Sequence, residues 1–301
     1  MLTVLRGILL SAAIVLVPML VSAADVVLPP GVKVEENPTD PRSTKIVLIA
    51  GSNYFKPGEH EYIAGCAALA DLLKQTPRVA PVLAIDWPKK PETLKGASCV
   101  VMFFDGGKKH GLLTDDRLAQ IENLGERNIG LVALHQIVDF PEGLGEKGKT
   151  LLGATFKNGH SKRAHWVHDF KAFPDHPITR GVKPFQIDDG FLWKLDFIDE
   201  RRGFVWPLLS AIGPKDMETQ PKESRVAWAF ERETGGRSFT FTGAHLHASL
   251  GQEGYRRLLT NAILWSAGVE VPEAGASVKL DEEKLKSYLM PKPVAVAEPA
   301  K

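Results

Sequence analysis

Residues 129–138 read Ile-Gly-Leu-Val-Ala-Leu-His-Gln-Ile-Val, and this stretch decides the fold. A run that is apolar but for one glycine reads as a strand covered on both faces, the kind found inside a parallel sheet. It breaks at His135, a polar side chain where the strand should end. Open α/β sheets bind ligands outside the carboxyl ends of their parallel strands, which makes His135 a candidate for chemistry. A histidine serving only to pack a strand-to-loop turn is the alternative.

Working outward, residues 45–51 and 79–86 read as two further strands and 97–105 as a third. Residues 61–74 form a helix with Ile63, Ala67, Leu69, Ala70 and Leu73 inward, and His60 stands at its entrance. Thr114, followed by Asp115 and Asp116, marks the start of a helix that runs to Arg127. Strands alternating with helices over short links predict a parallel sheet with helices on its faces.

Beyond His135 the pattern changes. Residues 141–149, rich in glycine and lysine, read as a loop. Residues 164–171 alternate as a strand, with His165 and Val167 on one face and Trp166 and His168 on the other. The turn Asn158-Gly159-His160 precedes it. His176 before Pro177 reads as turn packing. Residues 185–197 carry Asp188, Asp189 and Trp193. Short strands follow at 205–212, 225–231 and 238–242, the last running into Gly243-Ala244-His245. An amphipathic helix over 253–267 ends at Gly268.

Residues 1–24 have the form of a secretory signal: Arg6, an apolar core over 8–21, and the small-residue site Val21-Ser22-Ala23. An exported protein is the expectation, periplasmic or extracellular, with no stable membrane span after processing and a retained anchor as the alternative. Residues 25–43 read as an exposed, extended lead-in, 44–270 as one α/β domain, and 271–301 as a disordered polar tail. With Arg6 removed, basic and acidic residues balance at 36 each, which argues against nucleic-acid binding. The two cysteines, Cys66 and Cys99, form neither a disulfide scaffold nor a zinc spacing.

Three histidines, His60, His135 and His245, follow the ends of three predicted strands, and parallel strands bring those ends to one edge. Imidazoles serve there as general acids and bases or as metal ligands. With Asp189 as a carboxylate partner the set suits zinc or another divalent transition metal. No His-x-x-x-His pair supports this, so the metal rests on tertiary proximity alone. The turn after the organising strand holds His135 where a nucleophile elbow needs serine or cysteine. No phosphate-cradling glycine loop is present.

These stretches taken in order resemble the ThuA-like (trehalose utilisation) domain of the class I glutamine amidotransferase-like superfamily. The carriers are Gly51 with His60, residues 130–135, residues 153–160, His176-Pro177-Ile178-Thr179, Ile187-Asp188-Asp189, Val226-Ala227-Trp228, residues 236–245, and the helix around Trp265. The resemblance implies a flavodoxin-like three-layer sandwich with a mostly parallel central sheet. It also implies no glutaminase activity, because the elbow lacks the amidotransferase cysteine. Two departures stand out: Asp188-Asp189 where the family shows Asp-Glu, and Gly243-Ala244-His245 where it shows Gly-His.

The resemblance points to carbohydrate use, on a trehalose-type disaccharide or a keto-sugar. The expectation is His-based acid/base or metal-assisted chemistry by a hydrolase, lyase or isomerase. His135, His60 and Asp189 are the candidate catalytic residues, and His135, His60 and His245 the candidate metal ligands. Asn158, His160, Trp193 and Trp228 are candidate substrate contacts, with Tyr54 a further sugar-stacking face. A sugar-binding or scaffold module without turnover remains the alternative, and the oligomeric state is left open.

Overall fold

The computed structural model describes residues 28–52, 55–217 and 222–289; the leader read over 1–24 lies outside the described residues. Eleven strands are present among them: β1 (Thr44–Ala50), β2 (Val79–Ile85), β3 (Ala97–Phe103), β4 (Gly130–Leu134), β5 (Ala154–Thr155), β6 (Lys162–Phe170), β7 (Phe185–Trp193), β8 (Asp196–Phe197), β9 (Gly203–Ile212), β10 (Glu223–Arg232) and β11 (Arg237–Phe241). The α-helices are α1 (Tyr62–Leu73), α2 (Pro91–Leu94), α3 (Arg117–Glu126), α4 (Gly145–Leu152), α5 (Glu253–Ser266) and α6 (Glu282–Ser287).

Seven strands form one sheet in the order β2-β1-β3-β4-β11-β10-β9. The first five run parallel, and β10 and β9 are antiparallel additions at one edge. Both faces of the central strands are buried, as their unbroken apolar runs require. Val132 and Leu134 of β4 face the core beneath α1 and α5, while Leu131 and Ala133 face the one beneath α3 and α4. The result is three layers, helices on sheet on helices. A separate hairpin of β6 and β7 packs Phe170, Ile187 and Phe191 against the α5 side.

Three sequence expectations change. The helix predicted from Thr114 begins at Arg117, because Asp115 takes a left-handed conformation (φ 53°) that no helix can continue through. Residues 145–152, read as loop, form α4. Its glycines lower helix propensity, but Gly148 is needed where the Phe140 ring lies against the helix, and Gly153 (φ 83°) ends it. Residues 271–289 are packed rather than disordered. Val278, Leu285 and Tyr288 are buried, Asn261 accepts the Ala276 N–H, and Asp281 caps α6 through the Lys284 N–H. The anchors are too widely spaced to register as a periodic pattern.

The lead-in is likewise tied down in part. Val34 bridges Leu83 beside β2, and the buried Glu35 carboxylate accepts from the Lys89 and Lys90 amides and the Thr93 hydroxyl.

Candidate functional site at the carboxyl edge of the sheet

β4 ends at Leu134, and His135 turns the chain sharply into a short 3₁₀ segment, His135–Val138, with a positive φ of 59°. That is the strained strand-to-helix geometry of an elbow, with an imidazole at its apex. Cys66 and Cys99 lie elsewhere, buried in α1 and β3, where burial pushes both thiols well up.

His60 (φ 48°) enters α1, and Ala244 (φ 71°) turns the chain after β11 to present His245. Two backbone bonds hold the loops together: His60 N–H to the His245 carbonyl and His247 N–H to the Gly58 carbonyl, both 2.9 Å. Strain at three non-glycine positions clusters around three imidazoles, as at sites whose surroundings over-determine them.

The three rings converge. Centroids of His60 and His135 are 4.8 Å apart, of His60 and His245 4.5 Å, and of His135 and His245 5.2 Å. One ligand nitrogen from each lies within 4.8 Å of the others. His60 and His135 are buried and His245 half-buried. Burial first, then the neighbouring His60 and His245, hold His135 well below the usual imidazole range. Burial also lowers His245, so both are neutral at pH 7.

The tautomers follow from the partners. His135 Nδ1 lies 3.2 Å from the Thr242 carbonyl, an acceptor, so it carries the proton and Nε2 carries the lone pair. Tyr62 donates its hydroxyl hydrogen to Asp105, and burial with that carboxylate keeps the phenol protonated. The Tyr62 oxygen, 2.7 Å from His60 Nδ1, must then accept from it. Phe55 stacks on the other side of His60 at 4.2 Å.

Asp189 does not join the rings. Fully buried, it accepts at Oδ1 from the Gly190, His245 and Leu246 amides (2.8, 2.8 and 3.1 Å) and at Oδ2 from the Ala244 amide and the Ser249 hydroxyl. Burial outweighs these bonds and raises its pKa to about 6, so it is ionised at neutral pH. It shapes the loop that holds His245. Gly190 beside it lets that loop close in, since a Cβ there would stand 3.0 Å from His245 Cβ.

The other predicted contacts lie apart. Trp193 and Trp228 are fully buried core residues. The Trp228 indole donates to the Leu152 carbonyl at 2.7 Å, so neither offers a face to a sugar. Asn158 and His160 are exposed in the turn before β6. Tyr54 lies outside the described residues.

Sequence reasoning missed His165 as a site residue. Its ring lies 5.4 Å from that of His245, and its Nε2 is 3.6 Å from an Asp188 oxygen, both side chains half-exposed at the rim. The alternation of β6 already set it opposite Trp166. Tyr62 and Asp105 were also missed, although Asp105 follows β3 at the same edge as the histidines.

One buried histidine is structural. His110 donates from Nε2 to the Ile137 carbonyl and accepts the Leu112 N–H at Nδ1, so a second proton has no place, and burial lowers its pKa to about 4. Its folded pKa lies below the unfolded value of about 6.5. The stability it contributes is therefore complete above pH 6.5 and lost as pH falls toward 4, by about 3 kcal/mol. Urea unfolding at pH 7.5 and 4.5 should show that loss in the wild type and a correspondingly smaller one in His110→Gln. Equal pH dependence in both would rule it out.

This sheet order, with its histidine-bearing carboxyl edge, defines an α/β domain built on a mostly parallel sheet. A family model described as ThuA, trehalose utilisation, matches residues 47–266. The chain belongs to that family, which ties it to carbohydrate utilisation. Among solved structures it is similar to a ThuA-like protein from Parabacteroides merdae (14% identity, 83% of this chain and 100% of that one, TM-score 0.56). It is also similar to a ThuA-like protein from Bacteroides uniformis (17%, 76% and 93%, TM-score 0.49) and to a glutamine amidotransferase from Thermotoga maritima (11%, 74% and 98%, TM-score 0.40). No curated protein sequence matches the chain. Among the described residues no helix is long and apolar enough to cross a membrane.

Proposed function

We propose that this protein is an enzyme acting on a carbonyl-bearing sugar, a keto-disaccharide or keto-glycoside, at the His60–His135–His245 centre. The observation that carries the reading is the convergence of three imidazoles at one sheet edge, each on a strained turn, with the protons of His60 and His135 directed away from the shared centre. A carbon next to a sugar carbonyl loses its proton readily once the carbonyl oxygen is polarised. The electron pair moves onto that oxygen, and the resulting enediol either returns the proton elsewhere or expels a group from the next carbon. Isomerase and lyase outcomes thus share one step.

The centre needs a polarising group at the oxygen and a proton acceptor at the carbon. His165, paired with Asp188 at the rim, stands where a proton acceptor can meet both solvent and a sugar. With residues 1–24 read as an export leader, this chemistry takes place outside the cytoplasm.

Assay of the mature chain on keto-sugars and their parent sugars tests the proposal. Turnover is expected with the keto form, falling by about 100- to 10,000-fold in His135→Ala with the circular dichroism spectrum unchanged. Keto-sugar binding without turnover would reduce the protein to a binding module. Full activity in His135→Ala would remove the histidines from the chemistry.

A further inference from the structure

We infer that His60, His135 and His245 form a mononuclear transition-metal centre. Three imidazole nitrogens would bind one divalent ion of the zinc type, and the remaining position would take water or a sugar oxygen. The centre would deepen the carbohydrate reading, on which its role rests, yet its geometry stands independently of any substrate.

The distances fit such an ion. Tetrahedral coordination with metal–nitrogen bonds of about 2.0–2.1 Å sets the ligand nitrogens about 3.4 Å apart. His135 Nε2 and His245 Nδ1 are 3.4 Å apart, long for a hydrogen bond between two rings. The third nitrogen lies within 4.8 Å of both, a gap that small rotations of the rings would close.

The tautomers fit as well. A metal-binding imidazole donates its other N–H to a carbonyl or carboxylate, which fixes the lone pair toward the ion. His135 makes this bond to the Thr242 carbonyl, and His60 makes it through the Tyr62 hydroxyl to Asp105. The chain Asp105–Tyr62–His60 relays carboxylate charge to the ring and increases its basicity as a ligand.

The backbone holds the ligands in place. His60 and His135 lie in left-handed backbone, and His245 follows Ala244, which does too. Asp189 clamps the His245 loop through three consecutive amides, those of Ala244, His245 and Leu246. A general base has little need of three crowded rings. A metal centre needs ligands prearranged in this way, with neutral imidazoles.

Three imidazoles suit zinc and its first-row neighbours and do not suit magnesium or calcium, which prefer oxygen donors. Held there, such an ion would act as the Lewis acid that polarises the sugar carbonyl.

The test uses the full mature chain stripped with a chelator and titrated with Co(II), which reports four-coordination by its visible absorption, and with Zn(II) by calorimetry. One ion per chain is expected. His245→Ala, at a half-exposed position, and His135→Ala should each lose the absorption band. Tyr62→Phe should weaken binding by about 10- to 100-fold, measured on protein that circular dichroism shows to be folded.

Substoichiometric binding, or a band unchanged in His245→Ala, overturns the inference. A metal-free chain that turns over a keto-sugar overturns the metal and spares the sugar chemistry. A chain that binds one ion through these histidines and turns over no sugar does the reverse.

Discussion

Asp189→Ala is expected to destabilise the protein by about 3–5 kcal/mol, the range for removing one partner of a buried charged network, and to abolish the site with it. The carboxylate is fully buried and takes five donors. Removing it leaves the amides of Ala244, His245 and Leu246 and the Ser249 hydroxyl facing a cavity, and each buried unsatisfied donor costs about 1–3 kcal/mol. The loop would reopen to reach water, carrying His245 away from His135. Asp189→Asn should fall between. Its single amide oxygen can serve the three amides now on Oδ1, while its NH₂ group opposes the Ala244 N–H and obliges Ser249 to accept. Guanidinium unfolding of the three proteins gives the order wild type, Asn, Ala. An alanine variant as stable as the wild type would show that the loop is held elsewhere.

The central sheet was legible in the sequence because its strands are buried on both faces, and unbroken apolar runs such as 46–51 and 129–134 suit little else at that length. The meeting of His60, His135 and His245 was legible for a topological reason: parallel strands put their carboxyl ends on one edge, so a histidine after each strand arrives at one place. What stayed hidden depends on contacts without period. Asp189 looked like a reactive carboxylate, yet backbone amides, which leave no trace in side-chain identity, set its role. Trp193 and Trp228 looked like sugar-stacking faces, but in strands an indole fills a core, and Trp228 found its acceptor in the Leu152 carbonyl. The α4 helix was masked by the glycines that let it pack against Phe140, and the ordered residues 271–289 by their polar composition. His165 lay on the face of β6 opposite Trp166, as its alternation required, but only the docking of the hairpin on the sheet edge brings it beside His245.

The one glycine in the organising strand should be irreplaceable. Gly130 opens β4, pairs with Cys99 of β3, and faces the end of α5. A Cβ there would stand 2.1 Å from the Ser266 carbonyl oxygen and 2.6 Å from its carbon, and neither backbone can yield cheaply. The strand is fixed by ladder bonds on both sides. The helix end is fixed by Gly268 (φ 73°), whose N–H bonds the Trp265 carbonyl, and by the Val269 N–H on the Leu264 carbonyl. Gly130→Ala is therefore expected to cost about 3 kcal/mol or more, the upper end for an overpacked core, lowering Tm by roughly 6–12 °C for a domain of this size. Gly143→Ala is the control. That glycine has a left-handed φ of 86°, and no atom lies within 4 Å of the place an added methyl would take, so only the backbone penalty applies, about 1–2 kcal/mol. Calorimetric melting of the two variants should rank Gly130→Ala well below Gly143→Ala. The reverse order would mean that α5 can slide on the sheet, and with it the floor on which His135 and His245 stand.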